Sequence, residues 1–322
     1  MLREMDEQGA GAAWDLASFD SELQSRISVA DWESVKAFRD RPTFLNALES
    51  YARLFSPFYS DHLLLNKVVT EGRRFEMLVY LLYLYQTTVR GDPLSGLTIA
   101  NFKRVCAAQN VCSPNRALAI ISIMRLARFL QRDQAHADAR VKRLAPTPRF
   151  MDIVEAWNRT LLIVIDAAAP EAQLARAHAE HPAMGAKMRV KAAQHMLGGW
   201  HLLDFFPEAR HFIDRDGGWM LLLHCTDEAL RLGKRRAIAP VAVDLGHFGR
   251  RFGVSRSHVR RILEEAHEKG LLTSPPQNGK HIALSPILVA SYLTCMAYEL
   301  SFSWGIARAL NSQSSIPTGP SL

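Results

Sequence analysis

The stretch from Asp244 to Leu284 constrains this chain more than any other. Phe248 and Phe252 stand one helical turn apart and so share a face. Gly253 follows at once, a residue free to take the left-handed conformation that ends a helix. Ser255 is then a natural N-cap, because its hydroxyl can accept from a backbone N–H of the next first turn. Beyond it Val259, Ile262, Leu263 and Ala266 recur at helical spacing, which leaves Arg256, Ser257, Arg260 and Arg261 for the other faces. Gly270 stops that helix. Leu271-Leu272-Thr273 reads as a short strand and Ser274 to Gly279 as a turn, with Asn278-Gly279 as a hairpin signal. His281-Ile282-Ala283-Leu284 alternates like the returning strand.

Helix, tight turn, helix and β-hairpin is the layout of a winged helix-turn-helix. The run from Phe248 to Leu263, with Glu268-Lys269-Gly270-Leu271-Leu272 after it, resembles the recognition region of GntR-type winged-helix regulators. That pattern has a Leu-Ala pair where this chain has Phe248-Gly249, and Gly249 is expected to weaken its helix.

Residues 97–150 repeat the arrangement. Thr98 caps a helix from Ile99 to Gln109, and Asn110-Val111-Cys112 is the turn. Ser113 is an N-cap, with Pro114 at the first helical position, where its missing N–H costs nothing. The second helix runs through Ala117, Ile120, Ile121, Met124 and Leu126 to Phe129, and Gln131 to Leu144 is the expected wing. Setting Ser113 against Ser255 pairs Ala117 with Val259, Ile120 with Ile262, Ile121 with Leu263 and Phe129 with Leu271. Near the same offset Phe75 faces Trp219 and Leu144 faces Leu284, so the chain reads as two copies of one unit. In the first copy Val111 stands where the second has its turn glycine, and Leu118 where the second has Arg260.

This organisation resembles the MarR family, in which a winged helix is embedded between helices that form a dimer interface. Asp138-Ala139-Arg140, followed by Val141 to Leu144, is similar to that family's wing, where an Asp orients an Arg toward the minor groove. The second wing offers Lys280 and His281 instead. The resemblance implies a mainly α fold with two winged helix-turn-helix units, each with a small β-hairpin wing, set in helical, dimerisation-like regions. It also implies a small-molecule effector between helices.

Charge points the same way. The net charge is +7, but residues 1–35 hold eight acids and two bases. Residues 231–261 hold nine bases and one acid, and residues 116–149 hold eight bases and two acids. Two separate basic segments are what two phosphate footprints would look like. Arg256, Ser257 and Arg260 lie near the start of a recognition helix, where base edges are read, with His258 and Arg261 beside them. Ser255 can hold a phosphate through its hydroxyl or the helix amides. Arg250 and Arg251 lie on the preceding helix, which crosses the backbone, and Lys280 follows the wing. The first copy offers Ser113, Asn115, Arg116, Arg140, Lys142 and Arg143.

The expected divisions are an acidic, partly mobile segment 1–35, a first unit 36–180 (winged helix 97–150), a second unit 181–310 (winged helix 238–286) and a mobile tail 311–322. The most apolar segment, Pro286 to Leu310, contains Glu299, Ser291, Thr294, Ser301 and Ser303, so it reads as a buried core or dimer helix and not as a membrane span. Met1 to Glu7 carries acids where a secretory signal wants bases, and four cysteines exclude a disulfide scaffold and suit the cytoplasm. His178, Glu180, His181, His195 and His201 lack metal-ligand spacing, and the aromatic stretch Phe75 to Tyr85 with Trp200, Phe205 and Phe206 reads as core packing. No Ser/His/Asp order, paired carboxylates or phosphate loop indicates catalysis, so neither enzymatic activity nor a cofactor is expected. The function expected is a sequence-specific transcriptional regulator of double-stranded DNA, acting as an intramolecular pseudo-dimer or as a homodimer. A plasmid-type replication initiator and a winged-helix protein scaffold are the alternatives.

Overall fold

The computed structural model describes residues 15–60, 72–89, 92, 95–133, 142–235, 237–274 and 281–314. The expected mobile ends lie largely outside these residues, as does most of the expected hairpin turn at 274–279. The described residues are mainly helical, with fourteen α-helices and two antiparallel two-stranded sheets. None of these helices is long and apolar enough to cross a membrane.

Two compact units divide the chain, each built from two separate stretches. The first unit takes the described residues of 1–72 and 202–299, and the second those of 73–201 and 300–322. The first contains α1 (Asp20–Gln24), α2 (Val29–Arg39) and α3 (Phe44–Ser60). The second begins within α4 (Gly72–Gln86) and continues with α5 (Ile99–Ala108), α6 (Pro114–Leu126), β1 (Leu130–Arg132), β2 (Leu144–Pro146), α7 (Pro148–Ala168), α8 (Leu174–Glu180) and α9 (Ala183–Leu197). The first unit then resumes with α10 (Pro207–Ile213), α11 (Gly218–Leu232), β3 (Val241–Ala242), α12 (Leu245–Phe252), α13 (Arg256–Glu268) and β4 (His281–Ile282). Helix α14 (Pro286–Ser314) starts in the first unit and ends in the second.

The order of elements repeats. Helices α4 and α11 have 15 residues each, and α6 and α13 have 13 each. Ser113 and Ser255 cap α6 and α13 alike, each hydroxyl accepting from the backbone N–H three residues on. After each sheet a Thr-Pro or Ser-Pro pair opens a long helix, at Thr147-Pro148 and Ser285-Pro286. The left-handed residue before α6 is Asn110 (φ 51°), one of the few non-glycine types that adopt this conformation readily; Val111 does not occupy it. The Val111 N–H donates to the Cys106 carbonyl as the Val254 N–H donates to the Gly249 carbonyl. The first turn is therefore one residue longer than the second, and Asn110 is the counterpart of Gly253 (φ 70°).

The strands correct one expectation. Residues 271–273 form no ladder strand; Leu272 makes a single bridge to Leu284. The partner of β4 is β3, with Val241 opposite Ile282 and Ala242 opposite His281. Val241 and Val243 are buried while Ala242 is exposed, the period of two of a strand with one face on the core. In the other unit β1 pairs with β2, and the Leu144 N–H donates to the Leu97 carbonyl.

Each unit has its own core. In the second, Met77, Tyr80, Phe102, Cys106, Ile121, Met124 and Phe129 are buried, and Phe129 meets Phe150 at 5.4 Å between ring centres. In the first, α11 packs on α3 through Trp219 and Tyr51, and Phe248 and Phe252 lie 4.7 Å apart. Nine consecutive residues of α14, Leu288 to Met296, are buried, which explains its unbroken apolar character without lipid. Two polar groups among them have partners, Ser291 donating to Glu208 and Thr294 accepting from the buried Arg39, whereas the Tyr292 hydroxyl has none among the described residues.

Candidate nucleic-acid interface

Helices α12 and α13 carry five arginines, Arg250, Arg251, Arg256, Arg260 and Arg261. Asp244 starts α12, its Oδ1 accepting from the N–H groups of Gly246 and His247 at 2.8 Å. The Val254 carbonyl comes so near Gly249 that a β-carbon there would lie 2.6 Å from its oxygen. Gly249 is thus the gap that lets the turn close. The reading that it merely weakens the helix is incomplete.

Val259, Ile262, Leu263 and Ala266 bury the inner face of α13. The preceding loop fixes its rotation. The His258 Nε2 lies 3.0 Å from the Asp216 carbonyl, and the His211 Nε2 lies 3.1 Å from that of Ile262. Arg215 bonds both Glu265 and the His211 carbonyl. Burial lowers the His211 pKa, against the opposing hydrogen bond to the Ile262 carbonyl. The sequence marks His258 only as a candidate contact and carries no sign of Asp216, His211 or Arg215, because these contacts span 42 to 51 positions with no local pattern.

Arg250, Arg256, Ser257, Arg260 and Arg261 are exposed. No hydrogen bond or ion pair among the described residues holds the guanidinium of Arg250, Arg256 or Arg260. The Arg256 guanidinium lies over Gly246, where a β-carbon would approach it to 3.0 Å. Arg261 touches His258 at 3.3 Å and reaches Glu265 only at 3.8 Å. The expected Ser255 cap is present and its hydroxyl also lies 3.1 Å from that of Ser257.

Two residues of this group are committed inward. Arg251 remains exposed but donates to the Ser56 hydroxyl at 2.8 Å and lies over its neighbour Phe252. His258 is half-buried on the Asp216 carbonyl, where it positions α13 and is not open to a base. Lys280 lies outside the described residues.

In the second unit Ser113 and Asn115 are exposed at the start of α6, Arg116 is partly exposed, and Lys142 is exposed beside β2. Arg143 is a correction. It is 5% exposed, and its guanidinium donates to the carbonyls of Ser95 and Asp92, so it ties the strand to a loop instead of facing solvent. Arg140 lies outside the described residues. The outer face of α6 differs from that of α13: Leu118 and Leu126 are 40% and 84% exposed.

Among the described residues no group of His, Cys, Asp and Glu could hold a metal. His178 lies 3.5 Å from Glu155 and His201 3.6 Å from Glu76. Burial pushes the thiols of Cys106 and Cys225 up to about 12, so neither is a reactive thiolate at neutral pH. Phe75 meets Trp157 at 5.6 Å, both rings partly exposed.

No family model, curated protein or solved structure matches this chain.

Proposed function

We propose that this protein is a sequence-specific, double-stranded-DNA-binding transcriptional regulator of the cytoplasm, with winged helix-turn-helix modules of MarR-like organisation at 97–150 and 238–286. The observation that carries the reading is the direction of charge along α13. Its first half presents Arg256, Arg260 and Arg261, and its second half Glu264, Glu265 and Glu268. The helix dipole favours the reverse order, with acids first and bases last. Charges set against their own helix do not serve its stability. They suit an external anion approaching the N-terminal half, and the capped amides of that turn add to the attraction.

On this reading Arg256, Ser257 and Arg260 meet base edges, where an arginine fork can bond guanine O6 and N7 together. Ser255, Arg250 and Arg261 meet phosphates. In the other module Asn115, Arg116 and Lys142 are the remaining contacts, and the apolar outer face of α6 favours a lesser role in base reading. The site preferred by the chain is then asymmetric.

Selection from random duplex DNA with the full chain at two salt concentrations tests this. We expect an enriched, asymmetric motif on a salt-sensitive background. Arg256→Ala/Arg260→Ala is expected to lose at least about 30-fold of its affinity for that motif, at about 1–3 kcal/mol for each base-reading arginine. Motif-free binding unchanged in the variant would overturn the reading. Iterated direct repeats in the footprint would favour the replication-initiator alternative, and a palindrome bound equally by both halves would remove the asymmetry.

A further inference from the structure

The first unit contains a shallow, solvent-open cleft between α3, α11 and α14. Its wall is leucine: Leu45 and Leu48 from α3, Leu223 and Leu230 from α11, Leu293 from α14. Such a wall offers contact to one edge of an apolar body lying in the open cleft.

The polar groups in the cleft are unusual in what they lack. Asp227 lines it, half-buried, and accepts no hydrogen bond and joins no ion pair among the described residues. The nearby arginines do not supply one. Arg231 is turned to Glu228, with both oxygens bonded at 2.6 and 2.8 Å, and Arg235 reaches Glu49 at 3.2 Å. Burial raises the Asp227 pKa and the charges of Glu49 and Glu228 raise it further, against a smaller opposing pull from Arg231 and Arg235. Two hydroxyls are also orphaned there. Thr226 and Tyr292 line the cleft at 1% and 2% exposure, and neither hydroxyl has a partner among the described residues. A threonine inside a helix ordinarily returns its hydroxyl to the carbonyl four residues back, and Thr226 does not. Buried polar atoms without partners are costly, and a site that gathers an acid without a hydrogen bond and two such hydroxyls beside an apolar wall suits a ligand.

We propose that this cleft binds a small organic monocation, a primary amine on an aromatic or branched aliphatic body, with its ammonium on Asp227 and its body against the leucines. An anion is disfavoured because the two arginines already have carboxylate partners while Asp227 has none. A bare metal ion is disfavoured because no three-ligand group exists among the described residues. The inference stands apart from DNA recognition and holds whether or not α13 reads bases.

The test is titration of the full chain at pH 7.5 with 2-phenylethylamine, followed by calorimetry and by ligand-observed NMR. The uncharged 2-phenylethanol and the anionic 3-phenylpropionate serve as matched probes. We expect saturable binding of the amine, with both other probes at least tenfold weaker. Asp227→Asn should lose at least tenfold for the amine and little for the alcohol. Leu45→Trp, at a partly exposed position on the rim, should close the cleft to every probe and keeps the test decisive if the Asp227 variant folds poorly. No binding of the amine to the parent chain would overturn the proposal. So would equal binding of all three probes, or amine binding that survives both substitutions.

Discussion

Gly249→Ala is expected to destabilise the first unit by about 2 kcal/mol or more, although alanine is the better helix former. The added methyl would lie 2.6 Å from the Val254 carbonyl oxygen, a backbone atom with no freedom to swing away. Either the turn opens or α12 shifts off its core. The propensity gain of at most about 1 kcal/mol does not offset this. Gly305→Ala in α14 is the counter-case. That glycine is exposed in mid-helix with nothing near its missing side chain, and alanine there should stabilise by about 0.5–1 kcal/mol. Urea denaturation of both variants, read at the midpoint, should give shifts of opposite sign. A stabilising Gly249→Ala would mean that the close approach at the turn is not maintained in solution.

The second large effect concerns Glu299. Burial raises its carboxyl to about 7, against 4.5 for an ordinary glutamate, among Tyr51, Tyr59 and Tyr292. Below pH 4.5 the folded and unfolded chains both hold the proton, and Glu299 does not affect stability. As pH rises from 4.5 to 7 the unfolded chain releases it first, so folding is progressively opposed. Above pH 7 the full penalty applies, about 3 kcal/mol. Glu299→Gln should therefore be nearly equal to the parent at pH 4.5 and more stable at pH 8, with the difference growing between them. A parallel pair of stability–pH curves would show that the carboxyl is hydrated in the folded state.

What was legible in the sequence was local. Ser113, Ser255 and Thr98 cap helices because a cap is decided within four residues. Gly253 and Gly270 take positive φ where the helical pattern stops. The offset linking Ala117 to Val259 and Ile120 to Ile262 found core positions, since both copies bury them. What was not legible needed distant partners. Arg143 looked like a free base in a basic run, but its acceptors at Ser95 and Asp92 lie some fifty residues earlier. The strand at Val241–Ala242 has too few residues to be read as more than linker until β4 pairs with it. Within the candidate interface, charge and capping marked Arg256 and Arg260, whereas the inward commitment of His258 depends on a single carbonyl at Asp216.

Helix α14 imposes an order on events during synthesis. Its residues belong to both units, and each unit also draws on a stretch made long before. The described segments of 15–60 must wait for residues 202–299, and those of 73–201 for residues 300–314. At about 5–20 residues per second, the α2–α3 surface meant for α14 is left uncovered on the ribosome for on the order of ten seconds or more. Truncation that removes α14 from Pro286 onward should accordingly strip a segment from both units at once and yield aggregation-prone chains, whereas nicking between the units leaves no single cut that frees either one intact.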